Sequence, residues 1–249
     1  MTPDAPDPSD QPIVPGPMLD REILRLAIPA LAAFAGQPLF LLADAAIVGH
    51  LGADALAGLS LASTILQTVI GLMIVLSFTA TAMVSRHVGS GDLRRAMSAG
   101  IDGLWAAAIS GVVLVAVGLL ATRGIIGLTS ASEAVREQAV RYLHWSLPGL
   151  PGILIGMAAT GVLRGLQDTR TPLVVTVAGF LANIVLNYAL VYGAGMGVAG
   201  SALGTSLAEG AMAAVYLALL IPRARREGAS LWPDWANLRR SSRTGGWLL

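Results

Sequence analysis

Long uncharged apolar runs alternate along this chain with short connections that carry its charge. A membrane-crossing helix needs about 20 mostly apolar residues. Residues 26–43 carry no charge, and their apolar character continues to Val48. Residues 55–85 are uncharged, as are 103–122; residues 142–163 contain no Asp, Glu or Arg. Residues 171–208 are free of those charges too, but too long for one span. The segment GAGMGVAG, Gly193 to Gly200, divides that run. The pattern predicts six transmembrane helices, an all-α integral membrane bundle.

Composition agrees. Of the 249 residues, 55% are hydrophobic and 12% charged, against roughly 25% charged in soluble domains. The mean hydropathy is +0.70. A net charge of +1 gives no reason to expect a nucleic-acid partner, and with no cysteine there is no disulfide or thiolate metal site. The Pro- and Asp-rich start, residues 1–19, lacks the basic and apolar regions of a signal peptide and reads as a disordered tail.

The charge has a side. Arg21, Arg25, Arg86, Arg94, Arg95, Arg164, Arg170, Arg223, Arg225, Arg226, Arg239, Arg240 and Arg243 fall in connections on one face. Only Arg123, Arg136 and Arg141 fall on the other. The positive-inside rule then puts both ends of this segment in the cytoplasm, in a multi-pass protein of the cytoplasmic (inner) membrane. Residues 20–222 form the bundle, and residues 223–249 a basic connection ending in TGGWLL, where a further apolar run begins. An in–in unit of six helices can be followed by a second copy in the same orientation. The segment therefore reads as the first half of something larger.

Ionisable groups inside a bilayer are costly and usually functional. Asp44, in FLLADAAIVGHLG, lies roughly 33 Å along the first helix, in the outer half of the membrane. Pro29 and Pro38 precede it and can kink that helix. Asp44 reads as a protonatable group on a bendable helix, or as a cap of the outer helix end near the headgroups. Asn183 and Asn187, four apart, share one face of the fifth helix. Their amides can reach a buried carboxyl or join helices. Tyr142 and Thr160 are five turns apart and could share a face, although Pro148 and Pro151 intervene. Glu209 is a further acid deep in apolar sequence, whereas Asp102 lies near a cytoplasmic helix end, within reach of Arg94 or Arg95. His50 and His144 read as packing or interface residues.

Gly152/Gly156, Gly161/Gly165 and Gly200/Gly204 fit the GxxxG spacing that lets membrane helices approach closely. Gly195 to Gly200 also matches GxGxxG, but a nucleotide fingerprint needs a strand before it and an acid about 20 residues on. Here it is a turn between helices. With no Walker loop, no nucleophile beside a base and no metal-ligand spacing, neither an enzyme nor a cofactor is expected.

Four segments in order resemble the MATE (multidrug and toxic compound extrusion) family, in particular its DinF-like branch. They are ADAAIVGHLG at 43–52, LRGLQDTRTP at 163–172, ANIVLNYALVYG at 182–193 and GMGVAGSALGTSLAE at 195–209. The resemblance runs from about Leu19 to the end and covers the first of the family's two six-helix lobes. It implies one lobe of a two-lobed (6+6) transporter, exporting organic, often cationic, small molecules against an inward proton or sodium flux. It implies that Asp44 is the ion-coupling carboxylate, that Pro29 marks the helix bend, and that Asn183 lies near the aspartate. Tyr142, Thr160 and Thr205 match further polar cavity positions. Asn187 stands where many members have a second aspartate, which favours a proton over sodium as coupling ion. The partner implied is a second six-helix lobe, either a missing C-terminal half or a homodimer mate, with membrane lipid around both. Two other readings are a lipid-linked precursor flippase, which requires a cavity lined with Arg, and a half-size scaffold or remnant that does not transport. LRGLQDTRTP has a structural reading, with Asp168 pairing with Arg164 or Arg170 and Thr171-Pro172 starting a helix.

Overall fold

The computed structural model describes residues 42–233. The predicted tail, Pro29, Pro38 and most of the first span lie outside the described residues, as do residues 234–249. The described part of the first span is a short helix, α1, at residues 42–49. It is followed by α2 (Ala53–Met73), α3 (Val75–Gly89), α4 (Leu93–Gly127), α5 (Glu133–Ser146), α6 (Leu150–Gly165), α7 (Arg170–Tyr188) and α8 (Val198–Arg226). Every regular element among the described residues is helical.

Among the described residues five continuous helical stretches are long and apolar enough to cross a membrane. Two are joined from shorter helices. Between α2 and α3 the only break is at Ile74, whose N–H turns back to Gly71 at 3.3 Å. Between α5 and α6 the chain takes one 3-10 turn, Leu147–Gly149. Pro148 and Pro151, which offer no N–H to an α-helical ladder, account for that turn.

The fourth span begins earlier than the apolar run suggests. Its first turns carry Glu133, Arg136, Glu137 and Arg141, which exclude them from a hydropathy window. They are helical because Ser132 caps the start and Arg141 pairs with Glu137 at 3.1 Å. The inner face, Ala139, Tyr142 and Leu143, is buried. The third span likewise starts at Leu93, where the Asp92 carboxylate accepts from the Arg95 N–H at 2.9 Å.

The fourth span is the hub. In its apolar window 61% of residues are buried, against at most 28% in the other spans. α6 packs on α3, α4 and α8, while α5 packs on α2 and α8. One apolar core joins α3, α4, α6 and α8 around Leu154, Val162, Leu163 and Leu220. A second joins α1, α2, α5 and the start of α8 around Val48, Leu59, Tyr142 and Ala202. Small residues let α6 and α8 touch: a Cβ on Gly152 would lie 2.9 Å from the backbone of Glu209 and Gly210.

The GxGxxG segment is a turn. After α7 the helix widens into a π-turn, Ala189–Gly193. Gly195 and Gly197 then take φ of 67° and 59°, a left-handed conformation that glycine adopts without strain. α8 starts at Val198 and runs through Pro222 to Arg226.

Candidate functional site

Asp44 projects from α1 into the interior and is 3% exposed. It does not cap a helix end, because its partners all lie on other helices. Its Oδ1 accepts from the Asn187 amide of α7 at 2.7 Å and from the Ser201 hydroxyl of α8 at 2.5 Å. Its Oδ2 accepts from the Tyr142 hydroxyl of α5 at 3.2 Å. One carboxylate thus ties four helices together. Hydrogen bonds to a charged acceptor are worth more than neutral ones, about 1.5–3 kcal/mol each.

The network continues along α7. The Asn187 amide also reaches the Asn183 carbonyl at 3.2 Å, and the Asn183 amide reaches the Thr205 hydroxyl at 3.1 Å. Asn183 and Asn187 are 1% and 0% exposed. Their four-residue spacing puts both on the α8-facing side of α7, and Gly204 leaves the room that Asn187 needs: a Cβ there would collide with its Oδ1. Asn183, expected near the aspartate, lies one hydrogen bond away from it, through Asn187. Asn187 touches Asp44, and Asn183 supports Asn187 from behind.

Beside this cluster opens a cavity of about 550 Å³. Asp44, Tyr142, Thr160, Thr205 and Glu209 all line it. Tyr142 and Thr160 therefore do share a face, despite the 3-10 turn between them. Thr160 is not part of the Asp44 network; its hydroxyl meets the Tyr216 hydroxyl at 3.4 Å. Glu209 has no hydrogen-bond or ionic partner among the described residues. The walls are mainly apolar, with Leu66, Ile70, Ile153, Met157 and Met212. Among the described residues Arg164 is the one arginine on the lining. The described lining does not form the Arg-lined diphosphate site that a flippase would need.

Sequence reading missed Ser201 and Tyr216. Serine scarcely alters hydropathy, so Ser201 passes as part of a small-residue helix start. The available signal was spacing: Ser201 and Thr205 are one turn apart, on the α8 face that Gly204 brings against Asn187. His50 and His144 each donate from Nδ1 to the carbonyl four residues before, at 2.7 and 2.8 Å, and line no site. Among the described residues no group of three His, Cys, Asp or Glu could hold a metal ion.

At the arginine-rich end a separate polar contact closes the bundle. Asp168, in the connection between α6 and α7, accepts from the Thr171 N–H at 3.0 Å and hydroxyl at 2.7 Å, and from Arg223 of α8 at 3.3 Å. The expected pairing with Arg164 or Arg170 is thus corrected: the Thr171 contact turns the carboxylate across to α8. Partial burial pushes its pKa up, but the Thr171 bonds and the Arg223 charge outweigh it and hold the carboxyl below its ordinary value of 3.8.

The MatE family model matches residues 29–189. A probable multidrug resistance protein NorM of Thermotoga maritima is 30% identical over 92% of this chain and 51% of its own length. The DNA damage-inducible protein F of Escherichia coli is 31% identical over 82% of this chain and 44% of its own. An outward-facing multidrug resistance MATE family transporter of the MOP superfamily superposes with a TM-score of 0.80 at 27% identity, over 90% of this chain and 50% of its own. The chain spans about half the length of the curated relatives it matches. With its membrane-length helices and this match over most of its length, the chain is a multi-pass membrane protein that belongs to the MATE family of multidrug efflux transporters.

Proposed function

We propose that this chain is the amino-terminal lobe of a proton-coupled exporter of organic, often cationic, small molecules in the cytoplasmic membrane. Its arginine-rich end faces the cytoplasm, by the positive-inside rule. A second six-helix lobe, in the same protein or supplied by a second chain, completes the substrate path. The half-length match to the relatives supports that arrangement.

The observation that carries this reading is the closed donor set around Asp44 beside a large cavity. Three donors aim at the two carboxyl oxygens of Asp44. A proton on either oxygen adds a fourth donor to this set, so the Tyr142 or Ser201 hydroxyl must reverse its hydrogen bond and accept, or the set must rearrange. Tyr142, Ser201 and Asn187 sit on α5, α8 and α7, so protonation of one group alters the contacts of α1 with three helices. Such a bistable element is what alternating access needs. The same geometry favours a proton over sodium. A metal cation needs oxygen lone pairs, whereas Asn187 turns its NH₂ toward Asp44. Pro29 remains a proposed bend point on the first helix.

The test uses the native full-length protein in proteoliposomes, with a fluorescent cationic dye as cargo. An imposed proton gradient is expected to drive dye movement, and a sodium gradient alone is not. Asp44→Asn keeps the fold and abolishes the proton-driven component. Undiminished proton-driven export by Asp44→Asn sinks the mechanism, and strict sodium dependence sinks the choice of ion.

A further inference from the structure

The cavity holds two carboxylates in opposite states. Both Asp44 oxygens are occupied by donors from the protein, and the residue is 3% exposed. At that exposure Asp44 offers an organic cation little surface, although it lines the cavity. Glu209, on α8 one turn beyond Thr205, faces the same cavity without a partner among the described residues. We propose that Glu209 is the residue that binds the charged centre of an organic cation in this cavity, so that substrate charge and coupling proton have separate carboxylates. The inference rests on the export reading for the cargo's identity.

Three features support this. An unpaired carboxylate in an apolar wall is costly, and a cationic ligand offsets that cost. Around Glu209 the wall offers a body for such a ligand: Ile153, Met157 and Met212 are apolar, and the Tyr216 ring can face a cation. The cavity is also electrically polarised. The Gly152 contact sets Glu209 level with the start of α6. Arg164, the cavity's arginine, is twelve residues further along α6, roughly 18 Å away in helix rise. That separation leaves Glu209 unneutralised and discourages cations at the arginine end.

The probe is tetraphenylphosphonium, a permanent cation with no proton to exchange and no hydrogen-bond donor. Its equilibrium binding is measured on the native full-length protein in nanodiscs. At an effective dielectric of a partly wet site, loss of a counter-charge about 5 Å away is expected to weaken binding at least about tenfold in Glu209→Gln. Glu209→Asp retains binding, and in Asp44→Asn, which loses proton-driven export, the binding that remains still depends on Glu209. Glu209→Gln binding as wild type, or Asp44→Asn carrying the loss instead, overturns the inference. So does a wild-type protein that does not bind the probe. Glu209-dependent binding without proton-driven transport supports the site and overturns the export reading alone. A second measurement needs no variant. Dicyclohexylcarbodiimide, an apolar carboxyl reagent, is expected to label Glu209 in the wild type, with the probe protecting it. Labelling of Glu209 that saturating probe leaves unchanged overturns the inference as well.

Discussion

Asp44 and Glu209 line one cavity and have opposite surroundings. Asp44 takes three hydrogen bonds from three helices, and its position is specified by residues that serve it. Glu209 takes none among the described residues, and α6 meets its backbone at Gly152. A satisfied buried carboxylate is an element of the fold, and altering its charge state alters packing. An unsatisfied one is destabilising in the empty protein and gains when a ligand arrives. The contrast separates a group that transmits a change from a group that recognises a molecule.

The comparison breaks most directly at Asn187. Asn187→Leu keeps the volume but removes the 2.7 Å donor from Asp44 and the donor to the Asn183 side-chain oxygen, leaving Asn183 its bond to Thr205. The expected loss in thermal unfolding in detergent is about 2 kcal/mol, the scale of a hydrogen bond to a buried charged group. Adding Asp44→Leu to that variant removes the stranded charge, so stability should recover in part while export does not, a coupling that a double-mutant cycle measures. Glu209→Gln, in the same assay, should cost nothing or stabilise. A large loss there would mean that Glu209 is as embedded in the fold as Asp44, and the contrast would collapse.

A comparable effect is expected where α6 crosses α8. A Cβ at Gly152 would stand 2.9 Å from the Glu209 backbone, which cannot yield as a side-chain tip can. Gly152→Ala is therefore expected to cost about 1–3 kcal/mol through overpacking and to shift Glu209. Gly156→Ala, whose nearest neighbour would be Tyr216 Cε2 at 3.9 Å, should be neutral or gain from helix propensity. Equal effects at both positions in thermal unfolding would show that the α6–α8 contact does not set the cavity wall.

Much of this was legible in the sequence, for physical reasons that differ by element. Asp44 stood out because an acid in an apolar run is rare and costly. Asn187 was legible as a partner through its spacing from Asn183, but which of the two meets Asp44 depends on how α7 rotates against α8. That rotation is set by Gly204 and the π-turn after Tyr188, neither of which has a hydropathy signature. Ser201 was hidden for the same reason. The amphipathic start of α5 was lost to the hydropathy reading because its charges pair within the helix. Glu209 was legible as an anomaly, but its lack of a partner appears only in three dimensions.

Asp168 extends the comparison outside the apolar interior, and its effect should be the smallest. Like Asp44 it is fully engaged, yet its side chain is 24% exposed and that of Arg223 44%. Exposed ion pairs contribute about 0–1 kcal/mol and weaken with salt, so Arg223→Ala is expected to lower stability by no more than that. Asp168→Ala should cost more, about 1 kcal/mol, because the carboxylate also holds the start of α7 through Thr171. The sign with pH follows from the lowered pKa. The folded carboxyl releases its proton more readily than the unfolded one. Its contribution is therefore fully present above the ordinary value of 3.8 and is lost as pH falls through the lower folded value. Unfolding of the wild type and of Asp168→Asn, followed from neutral pH downward, should converge in that acid window and differ above it. A gap that persisted at the acid end would mean that the clasp depends on the shape of the Asp168 side chain. A gap that closed would mean that the negative charge of Asp168 organises the contacts around it, at the small worth that water allows an exposed pair.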